Sequence, residues 1–582
     1  LNQKKTDEEL IELIKKFALI NAFKHSGKAQ SGSVIGKILG EKPKLRTKVK
    51  EIIDLVNNII EEINQTSLIE QKKIIKEKWP DILFKEKISE KKSLPPLPNI
   101  DKYSRIITRF SPNPDCVLHL GSARAIILCY EYAKMYKGRF FLRFEDTDPK
   151  LKKPVLEFYR QIRKDLIWLG CKPDEEYIQS DRLSIYYEYA EKLLSDGNAY
   201  VCTCKPQQFR QKTLQKKPCN CRNYSNKDNL NRWLSMLKGY YKEGEAVVRI
   251  KTDLNHPNPA IRDWPALRII DPEKYPHPRV KRKYFVWPLY NFSTGLDDHL
   301  MDITHIIRGK EHFTNMIRQQ YMYRHLGWEY PEAIHYGRLK ISGTSLSKSK
   351  IIKGIKEGLY TNWDDPRLAT FAALRRRGIL PKAIKRLMID IGPKPSDIVL
   401  SWENLYAHNR KLLDPKANRY FFVNDPIQLK VKNIPKVFPL KVRLHPDYPE
   451  RGFREYALQS RDEKKSAYFW IPKMKIKSGC AFRLMELFNI TIDRYSTYSV
   501  EASFLSESYE EAKKANIPLI HWIPIDDNMP CQIIMPDAKT VDGIAEGFCK
   551  LLNPNDIIQF ERFGFVRIDE TNTKLKAYYT HR

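Results

Sequence analysis

Three groups of residues in this chain have the types and spacing to do chemistry. The first is His119-Leu120-Gly121-Ser122, set between a β-rich run, Arg105 to Phe110, and a helical apolar pattern beginning at Ala123. Ser111-Pro112 stops the run, and Pro114 keeps the next turn extended rather than helical. The first turn of a helix offers unpaired N–H groups and a partial positive charge, so an anion is expected there; Gly121 has no side chain to hold a phosphate away, and His119 adds a donor. The dinucleotide fingerprint G-x-G-x-x-G is absent, which makes this a nucleotide site of another kind. The second group lies in Arg338 to Lys350, RLKISGTSLSKSK, where Gly, Ser and Thr mark a mobile loop and Lys348 between two serines can place a cation on a polyphosphate. The third is Cys202, Cys204, Cys219 and Cys221, a C-x-C, fourteen residues, C-x-C pattern. Four thiolates around a tetrahedral ion, with no open position, make a structural zinc knuckle; four reduced thiols are the plain alternative.

These groups need elements to hold them. Arg105 to Asp148 reads as a βαβ unit: the first run, then a helix with Ile126, Ile127, Tyr130, Ala133 and Met135 at mostly helical spacing, then Gly138 and a buried strand from Arg139 to Glu145. Val155 to Leu169 and Arg182 to Leu194 read as amphipathic helices that cover the sheet. Towards the N-terminus, Leu10, Ile14, Phe17 and Ala18, and again Ile52, Ile53, Val56, Ile59 and Ile60, predict a small helical appendage. Ser93-Leu94-Pro95-Pro96-Leu97-Pro98 ends it as a stiff linker. Beyond the lysine loop two helical patterns break at Gly378 and Pro381, with Arg375, Arg376 and Arg377 a candidate phosphate contact. From about residue 410 the periodicity changes to short alternating runs such as NRYFFVND and DIIQFERFGFVRID, which suggests β-barrels.

A chain of 582 residues exceeds a single core, and its 42% hydrophobic content is that of a globular protein. No uncharged apolar run is long enough to span a bilayer, and the first residues mix acids among bases, which argues against a membrane span or secretory signal; a cytoplasmic address is expected. The net charge of +32 suits a polyanionic partner, because each phosphate neutralised also releases counterions.

The first two groups together resemble a class I aminoacyl-tRNA synthetase. H-L-G-S stands where that family has HIGH, and S-L-S-K-S where it has KMSKS, with Ser122 in place of the last histidine and Ser345 in place of the first lysine. TRFSPNPD, LRFEDTDP, YIQSDR, PLYNFSTGLDDHLMDITHIIRGKEH and WDDPRLATFAALRRRGI occur in order and resemble the glutamyl/glutaminyl branch, in its archaeal and eukaryotic form. Cys116 stands where relatives often carry glycine.

The resemblance implies a multidomain α/β and β fold, with a Rossmann-type parallel-sheet catalytic core. Its expected parts are a helical N-terminal extension over residues 1–98, a first catalytic half over 99–199 and an inserted acceptor-stem-binding domain over 200–285. A second catalytic half over 286–355, a helical stem-contact region over 356–409 and anticodon-binding β-barrels over 410–582 complete it.

The implied activity is ATP-dependent ligation of glutamate to tRNA(Glu) through a glutamyl-adenylate, with tRNA(Gln) a further acceptor to test. Glutaminyl ligation on the same fold and an inactive tRNA-binding protein are the alternatives. It also implies Mg²⁺ with the ATP, catalytic roles for His119, Gly121 and Lys348, and ATP contacts from Ser111, His119, Gly121, Arg338, Leu339, Ser347 and Lys348. Arg109, Tyr290 and Arg308 would hold the amino-acid side chain, and Glu145 its α-ammonium. Two guanidinium groups facing a side-chain carboxylate favour glutamate over a neutral amide, provided that Arg109 and Arg308 share one cavity beside His119. A monomer is expected.

Overall fold

The computed structural model describes residues 2–24, 27–42, 45, 49–79, 93–344, 347–434, 437–459, 465–474 and 477–582, in two compact units that divide at Ser93 and Leu94. Ser345 and Leu346 of the lysine loop, and the first part of the stretch leading into the prolines, lie outside the described residues. No described helix is long and apolar enough to cross a membrane.

The first unit is helical: Asn2–Lys24, Ser31–Glu41, Val49–Gln65 and Leu68–Lys78. Ile14, Ala18, Val34, Ile38, Val56, Ile59 and Ile60 form its core, so the apolar positions with helical spacing are the ones buried. The last of these helices starts on a capping box between Ser67 and Glu70.

The second unit opens on the prolines. Leu94 and Leu97 bury their side chains in the core beside the first strands, the Leu97 N–H donates to the Tyr136 hydroxyl, and His305 bonds the Pro98 carbonyl. The expected linker is thus packed down, because the extended backbone that proline imposes sets two leucines on the same apolar surface.

Next come three parallel strands, β1 (Ile107–Phe110), β2 (Arg139–Phe144) and β3 (Glu175–Ile178), in that order across the sheet. The crossover helices are Leu120–Met135 and Leu156–Trp168. Gly138 sits at the turn between helix and β2, where a Cβ would lie 1.9 Å from the Ile106 carbonyl oxygen, so only glycine lets β1 and β2 close up there. An antiparallel sheet follows, built from β4 (Ala199–Cys202), β5 (Val247–Ile250), β6 (Pro265–Ile269) and β7 (Val286–Pro288). Parallel pairing then resumes in β8 (His305–Gly309) and β9 (Glu332–Tyr336). β8 lies against β1: the Ile107 N–H donates to Thr304 Oγ1 at 2.9 Å and the Thr304 N–H to the Ile107 carbonyl at 3.0 Å. β1 therefore has β2 on one side and β8 on the other, and the crevice at the C-terminal ends of these strands is where an open parallel sheet binds ligands.

Helices Phe371–Arg376, Pro381–Ile391 and Trp402–Leu413 lead to two seven-stranded barrel-like sheets with separate apolar cores. The chain enters one of them at Arg419–Asn424, builds the whole of the other between Pro426 and Pro524, and returns to the first from Asn528 to His581.

Candidate active site

The helix after β1 begins at Leu120, three residues earlier than the apolar pattern alone indicates, because His119 caps it: Nδ1 accepts the Gly121 N–H at 3.0 Å. That bond puts the ring proton on Nε2, and burial holds the imidazole below its ordinary pKa, so His119 is a neutral donor beside a helix start.

Arg109 near the end of β1, Glu145 just past β2, Arg308 in β8 and Tyr290 at the head of the helix Tyr290–Leu300 line one cavity of about 440 Å³, together with Ser111. The two arginines share it, as the specificity argument requires. His119 is not part of its wall; Lys348 and Ser347 line a neighbouring groove with Asp115, and Lys152 lines both. Lys348 Nζ lies 2.5 Å from Asp115 Oδ2, its side chain 38% exposed. Leu339 sits on the short strand Leu339–Ile341, while Arg338 points its Nε at Glu311, 3.8 Å away, another residue of the cavity wall.

The pocket holds its arginines in two ways. Arg109 donates Nε and Nη2 to the two oxygens of Asp298 at 2.9 and 3.1 Å, and Arg143 donates to the same Asp298 at 2.8 Å and to Glu145 Oε1 at 3.1 Å. Burial by itself would raise the Asp298 carboxyl, but Arg109 and Arg143 hold it below its ordinary range. Thr294 Oγ1 also donates to Glu145 Oε1, at 2.8 Å, which leaves Oε2 as the oxygen available to a ligand. Asp297 takes Arg182 at 2.9 Å, Gln179 and Tyr186.

Arg308 differs. Its Nη2 donates to the Gln319 amide oxygen at 3.2 Å and the Tyr330 hydroxyl at 3.0 Å, and its Nε and Nη1 are buried with no partner among the described residues. The free guanidinium edge in the pocket is thus that of Arg308, whereas much of Arg109 is taken up by Asp298. Nearby histidines add no charge: burial, then Arg308 and Arg109, push His312 down to about 4, and burial with Arg308 does the same to His335.

Sequence reasoning missed Asp298, Arg143, Thr294, Gln319 and Tyr330. One signal was available for Asp298: Asp297-Asp298 falls in a helix whose residues from Asn291 to Asp298 are all buried, and buried acids demand partners. The arginine triplet reads differently in the structure as well. Arg375 bonds Asp165 and Arg376 bonds Asp364, both arginines partly exposed, while Arg377 is buried against Tyr406 and the Thr580 carbonyl and serves as an internal anchor.

The four cysteines converge. Cys202 and Cys219 sulfurs are 3.9 Å apart, Cys204 and Cys221 3.7 Å, and all four lie within 4.8 Å of one another. A tetrahedral zinc with Zn–S bonds of about 2.3 Å needs sulfurs about 3.8 Å apart, so the set fits that ion.

A parallel core interrupted by an antiparallel insertion, with donors and cations gathered at the strand ends, is the architecture of a class I aminoacyl-tRNA synthetase. Residues 105–415 match the catalytic-domain model of the class I (E and Q) tRNA synthetases, and residues 417–505 and 519–569 match two anti-codon binding domain models of the same group. The chain is 52% identical over 582 residues to a glutamate–tRNA ligase of Pyrococcus furiosus, covering 99% of this chain and 100% of that protein. It is 52% identical over 581 residues to the one of Pyrococcus abyssi, with 99% and 100% covered, and 46% over 572 residues to the one of Methanocaldococcus jannaschii, with 98% and 100% covered. The chain belongs to the class I E and Q tRNA synthetases.

Proposed function

We propose that this chain ligates glutamate to tRNA(Glu) at the expense of ATP, in two steps on one site. The observation that carries the reading is the buried, unanswered Nε and Nη1 of Arg308 in the cavity shared with Arg109, Tyr290 and Glu145. A glutamate side-chain carboxylate answers that edge with charge-assisted hydrogen bonds; a glutamine amide turns an NH₂ donor towards it and leaves a donor unpaired. Glu145 Oε2 receives the α-ammonium. Ser111, Arg338 and Leu339 bound the nucleotide, and the His119 Nε2–H, the helix start at Gly121 and Lys348 with Ser347 stabilise the negative charge on its phosphates. The α-carboxylate of glutamate attacks the α-phosphorus, pyrophosphate leaves, and a terminal ribose hydroxyl of tRNA then attacks the acyl carbon of the adenylate, taking the glutamyl group and releasing AMP. The protein contributes alignment and charge, with no covalent nucleophile. The class uses Mg²⁺ with ATP, which offsets phosphate charge when bound.

The two barrel-like sheets are the anticodon-reading half of this proposal, and tRNA(Gln) is a second acceptor to be tested beside tRNA(Glu). Charging each purified tRNA with labelled glutamate or glutamine tests the whole reading; glutamate is expected to win by ~10⁴-fold in kcat/KM. Comparable charging with glutamine would overturn it. Cys202, Cys204, Cys219 and Cys221 are proposed to hold a structural zinc ion, read out as one equivalent of metal in purified protein and its loss when all four become serine.

A further inference from the structure

Of the guanidinium groups of Arg109, Arg143, Arg182 and Arg308, three are answered by carboxylates: Arg109 and Arg143 by Asp298, and Arg182 by Asp297. Arg308 is the exception. Its two partners are an amide oxygen and a phenol, and these are tied to each other, since the Tyr330 hydroxyl donates to Gln319 Oε1 at 2.7 Å. Gln319 is fully buried and its Nε2 faces the Asn291 carbonyl at 3.5 Å, so its oxygen is turned to the arginine. Tyr330 is kept a neutral phenol by burial, which pushes it up to about 12. His312 and His335, which also face Arg308, are neutral for the reasons given above, and burial raises the Tyr290 phenol in the same cavity.

We infer that Gln319, backed by Tyr330, is a specificity-determining positioning residue: it fixes the Arg308 guanidinium through neutral oxygens, so that the cation is oriented yet left uncompensated for an acidic substrate. The inference rests on the glutamate reading and deepens it. A carboxylate at this position has nearly the same shape as the amide and would bond Arg308 better, but it would cancel the charge the substrate needs. Amide and carboxylate differ here in charge and not in size, which separates selectivity from packing.

The test is Gln319→Glu in the full-length enzyme, with tRNA charging by glutamate and by glutamine measured in parallel and thermal unfolding recorded. The expected result is a glutamate KM raised by ~10- to 100-fold, the worth of a charge-assisted hydrogen bond, with kcat changed by less than about threefold. Glutamine kcat/KM should hold or rise, so that the glutamate-to-glutamine ratio drops by the same factor. A folded variant in which both amino acids weaken alike, or in which the ratio is unchanged, overturns the inference.

Tyr330→Phe is the second variant and guards against misfolding of the first. It removes one anchor without adding charge, and a glutamate KM rise of ~3- to 10-fold with a smaller loss of selectivity is expected; no change in KM counts against the inference. Should the wild-type enzyme itself fail to prefer glutamate, the underlying reading falls. If it prefers glutamate and the variants keep the same preference, only the role of Gln319 falls.

Discussion

The two halves of the candidate site are built on opposite plans. Around the amino-acid cavity, Arg109, Arg143 and Asp298 form a buried ion cluster with bonds of 2.8 to 3.1 Å, fixed by strands and a helix and almost closed to water. Around the lysine loop, one half-exposed ammonium meets one carboxylate, Lys348 and Asp115, at the head of the short helix Lys348–Lys356. Rigid, desolvated charge discriminates between substrates that differ by one group, because mismatched donors there have no water to fall back on. Loosely held charge suits a polyphosphate that is already highly anionic and must later leave as pyrophosphate.

The strongest way to break this contrast is Asp298→Asn. It leaves Arg109 and Arg143 sharing no carboxylate between them, and removing one partner from a buried pair costs about 3–5 kcal/mol. Thermal unfolding should register that loss, and glutamate charging should fall by ~10² or more as Arg109 loses its orientation. An unchanged melting temperature would mean that water reaches this cluster.

Lys348→Ala comes next. The activation rate should drop by ~10² or more, with glutamate KM within about threefold of wild type and an unchanged melting temperature. A large shift in glutamate KM instead would show that the two halves are not separable.

A pH series gives a smaller effect. Arginine charge does not titrate, and His312 and His335 are held at about 4, so glutamate KM should stay flat from pH 8 to about 5.5. Stability behaves otherwise. His581, buried beside Tyr406 and Phe565, is also pushed down to about 4, chiefly by burial. A histidine whose folded pKa is depressed binds more protons when unfolded, so stability is full above about 6.5 and lost as pH falls towards 4. The loss from His581 should reach ~1–2 kcal/mol at pH 5, and His581→Phe should flatten that part of the melting curve.

Much of this arrangement was legible in the sequence, for physical reasons that differ by residue. His119, Gly121 and the strand–helix–strand unit announce themselves locally, since a cap, a proline-bounded turn and a helical apolar spacing are short-range features. The cysteines do so too, by spacing. What stayed hidden is pairing across distance: Arg109 and Asp298 are 189 residues apart, Arg143 and Asp298 are 155 apart, and nothing local says which buried cation receives an acid and which receives an amide. For the same reason Arg375 to Arg377 read as a candidate phosphate contact, although one partner, Asp165, stands 210 residues away. The burial of Leu94 and Leu97 beside the prolines is hidden on the same ground, because they meet a surface built from later sequence.

The smallest expected effect is the most pointed. Asp115→Asn makes the same acid-to-amide change as Asp298→Asn, but beside a lysine that water already solvates. Asp115 is mostly buried but the ammonium is open to water, so the pair is worth about 1 kcal/mol and stability should move little. On the proposed reading Asp115 competes with the phosphates for the same ammonium, and removing its charge should lower the KM for ATP by up to about fivefold, the kinetic equivalent of that energy. Acid-to-amide substitution would then hurt one half of the site and help the other, which is what fixed and borrowed countercharges require. If the KM for ATP rises instead, Asp115 orients Lys348 much as Asp298 orients Arg109, and the two halves follow a single plan.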